Sequence, residues 1–482
     1  MNMSKVAFIG IDGLEISIVK GLRDQGFIND KVSVSFYPIQ LNLLDRGWAT
    51  IFTGKDASYH SGYYWRTLPN TYCLSEKFNA EMIEIPTIWD RILKENGRVG
   101  LLGIPTTFPA RPVNGFYVAS GGGGASLTAD AVLYPPEIKD IIDAEAYQYD
   151  VRFPDFIGKK PVRFINALTK ADETRWKVAR KLLKEFNPLN FFAVVFTGAD
   201  RIQHFFWDRV EKLSKSGSID DEVDQAILCY YQTIFKILEK MIDELSSSKV
   251  VIASDHGFCR YKKSVNIVNL LSQRGYVRKR KFRVNELGKQ TAKSIIPHNL
   301  RPYLSLLRRK TTMGGEWRLN PPSIDFSKSL VVPFSGLQGL YLNEKNKFPN
   351  GVVESDESDA ICSDICNYLK GIKDYDSGVS IFQNITSSKE VYTGPYAHLA
   401  PNVVFDLPPG YKLETDLFTI FGDIQCKKIY PTKRSHMPGQ GHIGIHATPA
   451  AYACFKHGNS VAAENIDTLS AIYKLLLVDS LT

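Results

Sequence analysis

Apolar residues fall in short unbroken runs, and amphipathic stretches separate them. Residues 5–12 (KVAFIGID), Val99–Ile104, Asn190–Thr197 (NFFAVVFT) and Lys249–Ser254 (KVVIAS) are such runs of strand length. Continuous apolar character is what strands buried on both faces require. Between the runs, Thr87–Asn96 (TIWDRILKEN) carries helical spacing, with Thr87 as N-cap after Pro86 and Gly97 as a stop. Lys170–Phe186 and Asp221–Leu245 read as further helices, and Pro105–Gly124 as a Pro- and Gly-rich loop holding a short strand at Gly115–Ala119. This alternation predicts an α/β fold with a central, mostly parallel sheet and helices on both faces.

After Gly275 the alternation breaks. Strand-like runs resume at Leu330–Pro333 and Leu340–Asn343, a helix is expected near Glu357–Leu369, and the chain closes with strand Ala450–Phe455 and helix Asn465–Leu477. Residues 1–260 and 441–482 are therefore expected to form a core. A smaller α/β accessory lobe is expected from 261–440, including an insertion at 274–323.

Composition narrows the class. The chain has 482 residues, 44% hydrophobic and 23% charged, which excludes collagen, a coiled coil and wholesale disorder. The first apolar run is too short for a secretory signal, and no 18-residue apolar segment appears. Seven Cys without CxxC spacing read as free thiols of a reducing compartment, Cys362 and Cys366 sharing one helix face, so a cytoplasmic protein is expected. Charge is local. Between Arg274 and Lys310 stand twelve Lys or Arg against one acid, Glu286, so this stretch carries about +11 within a net charge of +8. It reads first as a solvated basic cap, then as a patch steering anionic substrates, and last as a surface touching anionic lipid or nucleic acid. It lacks the aromatic interleaving that would give a specific nucleic-acid signal.

Chemistry concentrates where apolar runs end. Asp12 follows the first, Asp200 and His204 follow the third, and Asp255 and His256 follow the fourth. A late loop, GQGHIGIHA, holds His442 and His446. In open α/β sheets ligands gather at the carboxyl ends of the strands. Asp and His suit zinc or manganese through carboxylate oxygen and imidazole nitrogen. Asp200 and His204, four apart, would project from one face of a helical turn. Singly each signal is ordinary: Asp-Gly after a strand is commonly a turn, and a lone D-x-x-x-H is commonly a surface pair. Their recurrence at three strand ends, with a Gly- and His-containing loop besides, is a stronger signal of a metal site than any one of them.

These motifs resemble the alkaline phosphatase superfamily, in its branch of type I phosphodiesterases and nucleotide pyrophosphatases. The resemblance rests on Asp12, on WATIFTGKDASYHSG (48–62), on TIWDRILKENGRVGLLGIPTTFPARPVNGF (87–116), on FTGADRIQHFFW (196–207) and on SDHGF (254–258). GLQGLYLN (336–343) and GPYAHLAPNVVF (394–405) resemble the family's accessory lobe. It implies an alkaline-phosphatase-like sandwich and a pair of divalent ions, zinc or manganese. One ion would be held by Asp200, His204 and His446, with His442 as the alternative to His446. The other would be held by Asp12, Asp255 and His256. The implied chemistry is in-line displacement at phosphorus on small anionic phosphate esters, nucleotides among them, through a nucleophilic Thr or Ser.

One position departs from the pattern. The nucleophile should stand nine residues before Thr53, and Leu44 is there. Leucine can neither attack nor ligate. Asp45 would then take the place at the metals with water attacking directly, or Thr50 or another hydroxyl would reach in. Otherwise the protein would bind its ligand without turnover. Transfer of a phosphoryl-linked group to a hydroxyl acceptor is a further reading. Gly121–Gly124 reads as a flexible surface loop, or as a backbone cradle for an anion.

Overall fold

Six consecutive residues, Val6–Ile11, have no polar side chain to offer water, and the chain buries all six. They form strand β1 at the centre of a nine-stranded sheet. The computed structural model describes residues 4–481 except 34, 68, 76–77, 121–131, 146, 148–159, 246–247, 281–315, 318–323, 416–425, 429–442 and 462–465. Strands β2 (Val99–Leu102), β3 (Phe191–Phe196) and β4 (Lys249–Ala253) join β1 in parallel, in the spatial order β2-β3-β1-β4. Gly115–Val118 extends the parallel set beyond β2, and Leu133–Tyr134 closes that edge antiparallel. Beyond β4, Ala450–Lys456 and then Tyr37–Ile39 add antiparallel strands. The fold is the expected mixed α/β architecture with a mostly parallel sheet flanked by helices.

The helices follow their periodicity. Ile88–Lys94 starts at Thr87, whose side chain accepts from Asp90 N while the Asp90 carboxylate accepts from Thr87 N, a reciprocal cap. Helix α1 is the short Gly47–Thr53, α2 is Pro161–Phe186, α3 is Gly198–Ser216 and α4 is Glu222–Leu245. α2 begins earlier than the predicted Lys170. Pro161 is preorganised for a first helical turn, and Phe164, Ile165 and Leu168 bury the added turns. The closing helix runs Ile472–Leu481, later than predicted, because Asp467–Leu469 is taken up by backbone bonds to Gln40.

Apolar packing divides into two clusters. The larger gathers β1–β4, the helices around them and Ala450–Leu476. The smaller is built mainly from 265–413, around the strands Val331–Pro333, Gly339–Leu342, Gln383–Ser387 and Val403–Asp406. It also draws in Leu44, Ala57, Tyr63, Tyr72 and Leu74 from early in the chain. The segment just before α1 therefore packs outward onto that second cluster. α1 itself is seated on the sheet: a Cβ at Gly10 would lie 2.6 Å from Trp48 Cη2. Phe8 meets the Trp48 ring edge-on at 6.2 Å and the Phe52 ring at 5.0 Å. This close approach sets where the N-terminus of α1 lies relative to the sheet's carboxyl end. Most of the basic stretch, and Gly121–Gly124, lie outside the described residues.

Candidate metal centre

Three adjacent strands deliver the acids. β3, β1 and β4 run in the same direction, so Asp12, Asp200 and Asp255 emerge at one end of the sheet. Asp12 follows β1 directly, and its N–H donates to Phe196 O at 2.9 Å. Asp200 sits in the first turn of α3, one helical turn before His204. His446 belongs to a strand, where a loop was predicted. Gly444–Ala447 pairs antiparallel with Gly257–Arg260, and His446 stands opposite Phe258. The apparent loop signal came from Gly441 and Gly444. Gly444 is required by space, since a Cβ there would lie 2.3 Å from Gln203 O.

The six predicted ligands fall into two groups, Asp200 with His204 and His446, and Asp12 with Asp255 and His256. Within each group one donor atom per residue lies within 4.8 Å of the others. His204 Nε2 and His446 Nε2 are 3.1 Å apart, and Asp200 Oδ1 is 3.3 Å from the first and 3.5 Å from the second. His256 Nε2 is 3.5 Å from Asp12 Oδ1 and 3.8 Å from Asp255 Oδ2. The groups adjoin each other, for the His256 and His446 rings stack at 3.7 Å and Asp200 Oδ1 is 4.0 Å from His256 Nε2. His442 lies outside the described residues.

Outer contacts orient the rings. His204 Nδ1 is 3.1 Å from Gly444 O and His256 Nδ1 is 3.0 Å from Gly257 O. A carbonyl only accepts, so Nδ1 carries the proton and the Nε2 lone pair faces the group. Sequence reading missed several supports. Gln203 Nε2 donates to Gly13 O at 2.6 Å, tying α3 to the turn that carries Asp12. Glu15 Oε2 accepts from Phe258 N at 3.1 Å, and Ser254 Oγ accepts from Leu14 N while donating to His256 O. Asp172, buried, accepts from Tyr230 Oη at 3.1 Å and from Gly198 N, bracing the turn before Asp200. None of these has a local sequence signal. Apart from the bond of Ser254 to His256, each acts across dozens to hundreds of residues, Gln203 included.

Electrostatics make the pocket hungry for positive charge. Burial, then the Asp255 and Asp200 carboxylates, hold Asp12 well above the usual carboxylate range. Burial pushes Asp255 up to about 7, and Asp200 adds to it. Burial opposes the charge of Asp200 too, but His204 and His446 outweigh it and hold that carboxyl well below its usual range. His446 is pushed down to about 3 by burial and by the facing His256. Asp200 Oδ1 and Asp255 Oδ1 are buried atoms without a hydrogen bond. Buried carboxylate oxygens left without donors, facing imidazole lone pairs, are a donor set that fits a divalent cation.

The positions proposed for the nucleophile do not join these groups. Leu44 is 5% exposed in the second apolar cluster. Asp45 turns toward Tyr392, whose Oη donates to Asp45 Oδ1 at 2.8 Å. Thr50 Oγ1 lies 3.2 Å from Nε2 of the buried His60. The β-bridge between Asp45 and Tyr63 explains the displacement: it aligns residues 44–46 along 62–64 and turns Asp45 away from the sheet.

The sequence model of the type I phosphodiesterase / nucleotide pyrophosphatase family matches residues 28–415. The chain belongs to that family. It is thus a phosphoric ester hydrolase of the alkaline phosphatase superfamily. The matched span stops short of both Asp12 and His446, which the fold brings beside Asp200, His204, Asp255 and His256. Among solved structures, phosphonoacetate hydrolase from Sinorhizobium meliloti 1021, in complex with phosphonoformate, shares the fold with a TM-score of 0.55. The two are 11% identical over 99% of this chain and 96% of that one. Murine ectonucleotide pyrophosphatase/phosphodiesterase 5 aligns over 98% of this chain and 94% of its own at 10% identity, with a TM-score of 0.44. No curated protein matches the sequence. Among the described residues, no helix is long and apolar enough to cross a membrane.

Proposed function

We propose that this family member hydrolyses phosphodiester or nucleotide-pyrophosphate-type bonds of small anionic substrates at a site of two divalent ions, zinc or manganese. Asp200, His204 and His446 would hold one ion, and Asp12, Asp255 and His256 the other. The observation that carries this reading is the pair of adjoining donor groups, each compact enough for one ion, joined by the His256–His446 stack. When bound, the ions would supply Lewis acidity toward the phosphoryl oxygens and a lowered pKa for water.

The chain's own contribution is orientation and exclusion. Gly444 O and Gly257 O fix the tautomers of His204 and His256, so the donor atoms face inward before substrate arrives. Phe258 lies against the donor rings, edge-on to His204 at 4.8 Å, and shields one side from water. Position 44 offers no hydroxyl, and Thr50 is committed to His60. Water is therefore the attacking group in this reading, and a single in-line displacement would replace the two-step route through a phospho-enzyme.

Metal content tests the assignment independently of turnover. Elemental analysis of the full chain, dialysed against zinc or manganese, is expected to give two ions per protein and one for Asp255→Ala. Two ions in that variant, or none in the wild type, would overturn the ligand assignment.

A further inference from the structure

The segment that carries Leu44 also carries an arginine, Arg46. Arg46 N donates to Gly62 O and Tyr64 N donates to Leu44 O, both at 2.8 Å, so residues 44–46 and 62–64 are laced antiparallel. The next residue, Gly47, seals against the second donor group: a Cβ there would lie 2.6 Å from Asp255 O and 2.7 Å from Asp255 Cβ. The Tyr64 ring stands edge-on to the His446 ring of the first group at 5.9 Å. Gly47, next to Arg46 in the chain, and Tyr64, against its guanidinium, thus each touch one half of the centre.

The guanidinium is held in place. It lies 5.3 Å from the centroid of the Tyr64 ring and 5.2 Å from that of Phe78, and Nη2 donates to Tyr64 O at 3.2 Å. Rings over a guanidinium occupy its faces and leave hydrogen bonding to its edge. Arg46 is half-buried, and its guanidinium rests against the same Tyr64 ring that meets His446. Charge gives it a purpose. Three carboxylates against two divalent ions leave one net positive charge at the site. A phosphodiester gains negative charge on its nonbridging oxygens as water attacks, and a fixed cation there favours that gain.

We infer that Arg46, clamped by Tyr64 and Phe78, is a substrate-binding residue that hydrogen-bonds the nonbridging oxygens of the phosphoryl group beside the two metal groups. The inference rests on the proposed two-metal reading and adds a specific anion contact to it. The test uses the full chain loaded with zinc, inorganic phosphate as the probe, and calorimetry as the readout. Metal content and the KM and kcat for bis-p-nitrophenyl phosphate are measured alongside.

Arg46→Met is expected to keep two zinc ions, to bind phosphate roughly 10- to 100-fold more weakly and to lose kcat/KM by a similar factor. Arg46→Lys, which keeps the charge and the long stem but not the planar fork, is expected to lose only a few-fold, and it decides the matter if Arg46→Met does not fold. Unchanged phosphate affinity in either folded variant would overturn the inference and leave the two-metal reading standing. Loss of zinc from Arg46→Met would also overturn it, by making Arg46 a support for the ligands. Wild-type protein that binds neither zinc nor phosphate would overturn both.

Discussion

His204 and His446, 242 residues apart in the chain, bring their Nε2 atoms to 3.1 Å of each other. With Gly444 O accepting the Nδ1 proton of His204, its Nε2 is a lone pair that either accepts from His446 Nε2 or faces a cation. Two nitrogens about 2.05 Å from a tetrahedral zinc would stand roughly 3.3 Å apart. The spacing fits two ligands of one ion, and a strand pairing late in the chain creates it.

His446 should therefore matter and His442 should not. His446→Ala is expected to retain one ion in place of two and to lose more in kcat/KM than the roughly 10- to 100-fold that removing an outer support of a metal ligand costs. His442→Ala is expected to keep both ions and its activity. Elemental analysis with steady-state kinetics checks both, and the reverse pattern would move the ligand to His442.

Gly47 is where α1 meets the centre. A Cβ at this position would lie against Asp255 backbone and Cβ, atoms that cannot swing aside. Gly47→Ala is expected to cost about 1–3 kcal/mol of stability, as overpacking does, and to lower affinity for the ion of the Asp12, Asp255 and His256 group. Thermal melts with and without zinc check this. A variant as stable as wild type with unchanged zinc affinity would contradict the close contact.

Leu44 offers a test of the route at phosphorus. Its side chain is buried in the second apolar cluster and not at the metal groups. Leu44→Thr is expected to lose about 1–3 kcal/mol by burying a hydroxyl, and to form no phospho-enzyme. In the wild type, a chiral phosphorothioate diester should react with inversion at phosphorus. Retention would require a covalent intermediate and a nucleophile other than water.

Asp45 carries a pH signature of its own. Burial raises its carboxyl from 3.8 to about 7, even though the Tyr392 hydrogen bond pulls the other way. A folded pKa above the unfolded one means that its contribution is fully present below about pH 3.8 and is lost as pH rises through about 7. Asp45→Asn keeps an acceptor for Tyr392 and removes that loss. Its melting temperature is expected to exceed that of wild type by on the order of a few °C at pH 8.5, by less at pH 5, and not at pH 3.5. An equal difference at pH 8.5 and pH 3.5 would show that Asp45 titrates normally.

Much of the centre is legible in the sequence because its acids are local to strand ends. Asp12, Asp200 and Asp255 each follow an apolar run, and buried parallel strands leave little else for such runs to be. His204 and His256 are legible from their spacing to those acids. His446 needed the resemblance to the family, and its setting on a strand comes from pairing with Gly257–Arg260, which no local pattern announces. The same limit explains Asp45. An acid before a helix looks like a candidate ligand, yet a bridge to Tyr63 turns it toward Tyr392, 347 residues away. Arg46 and Tyr64 carry no motif at all. Their place beside the centre follows from the close seating of Trp48 on Gly10 and of Gly47 on Asp255.

The most direct measurement is turnover of bis-p-nitrophenyl phosphate by the full chain loaded with zinc or manganese, with EDTA-treated protein as the control. The expected result is p-nitrophenol release that disappears with EDTA and returns when the metal is restored. Release that EDTA leaves unchanged, or no release from protein carrying two bound ions, would contradict a two-metal phosphodiesterase.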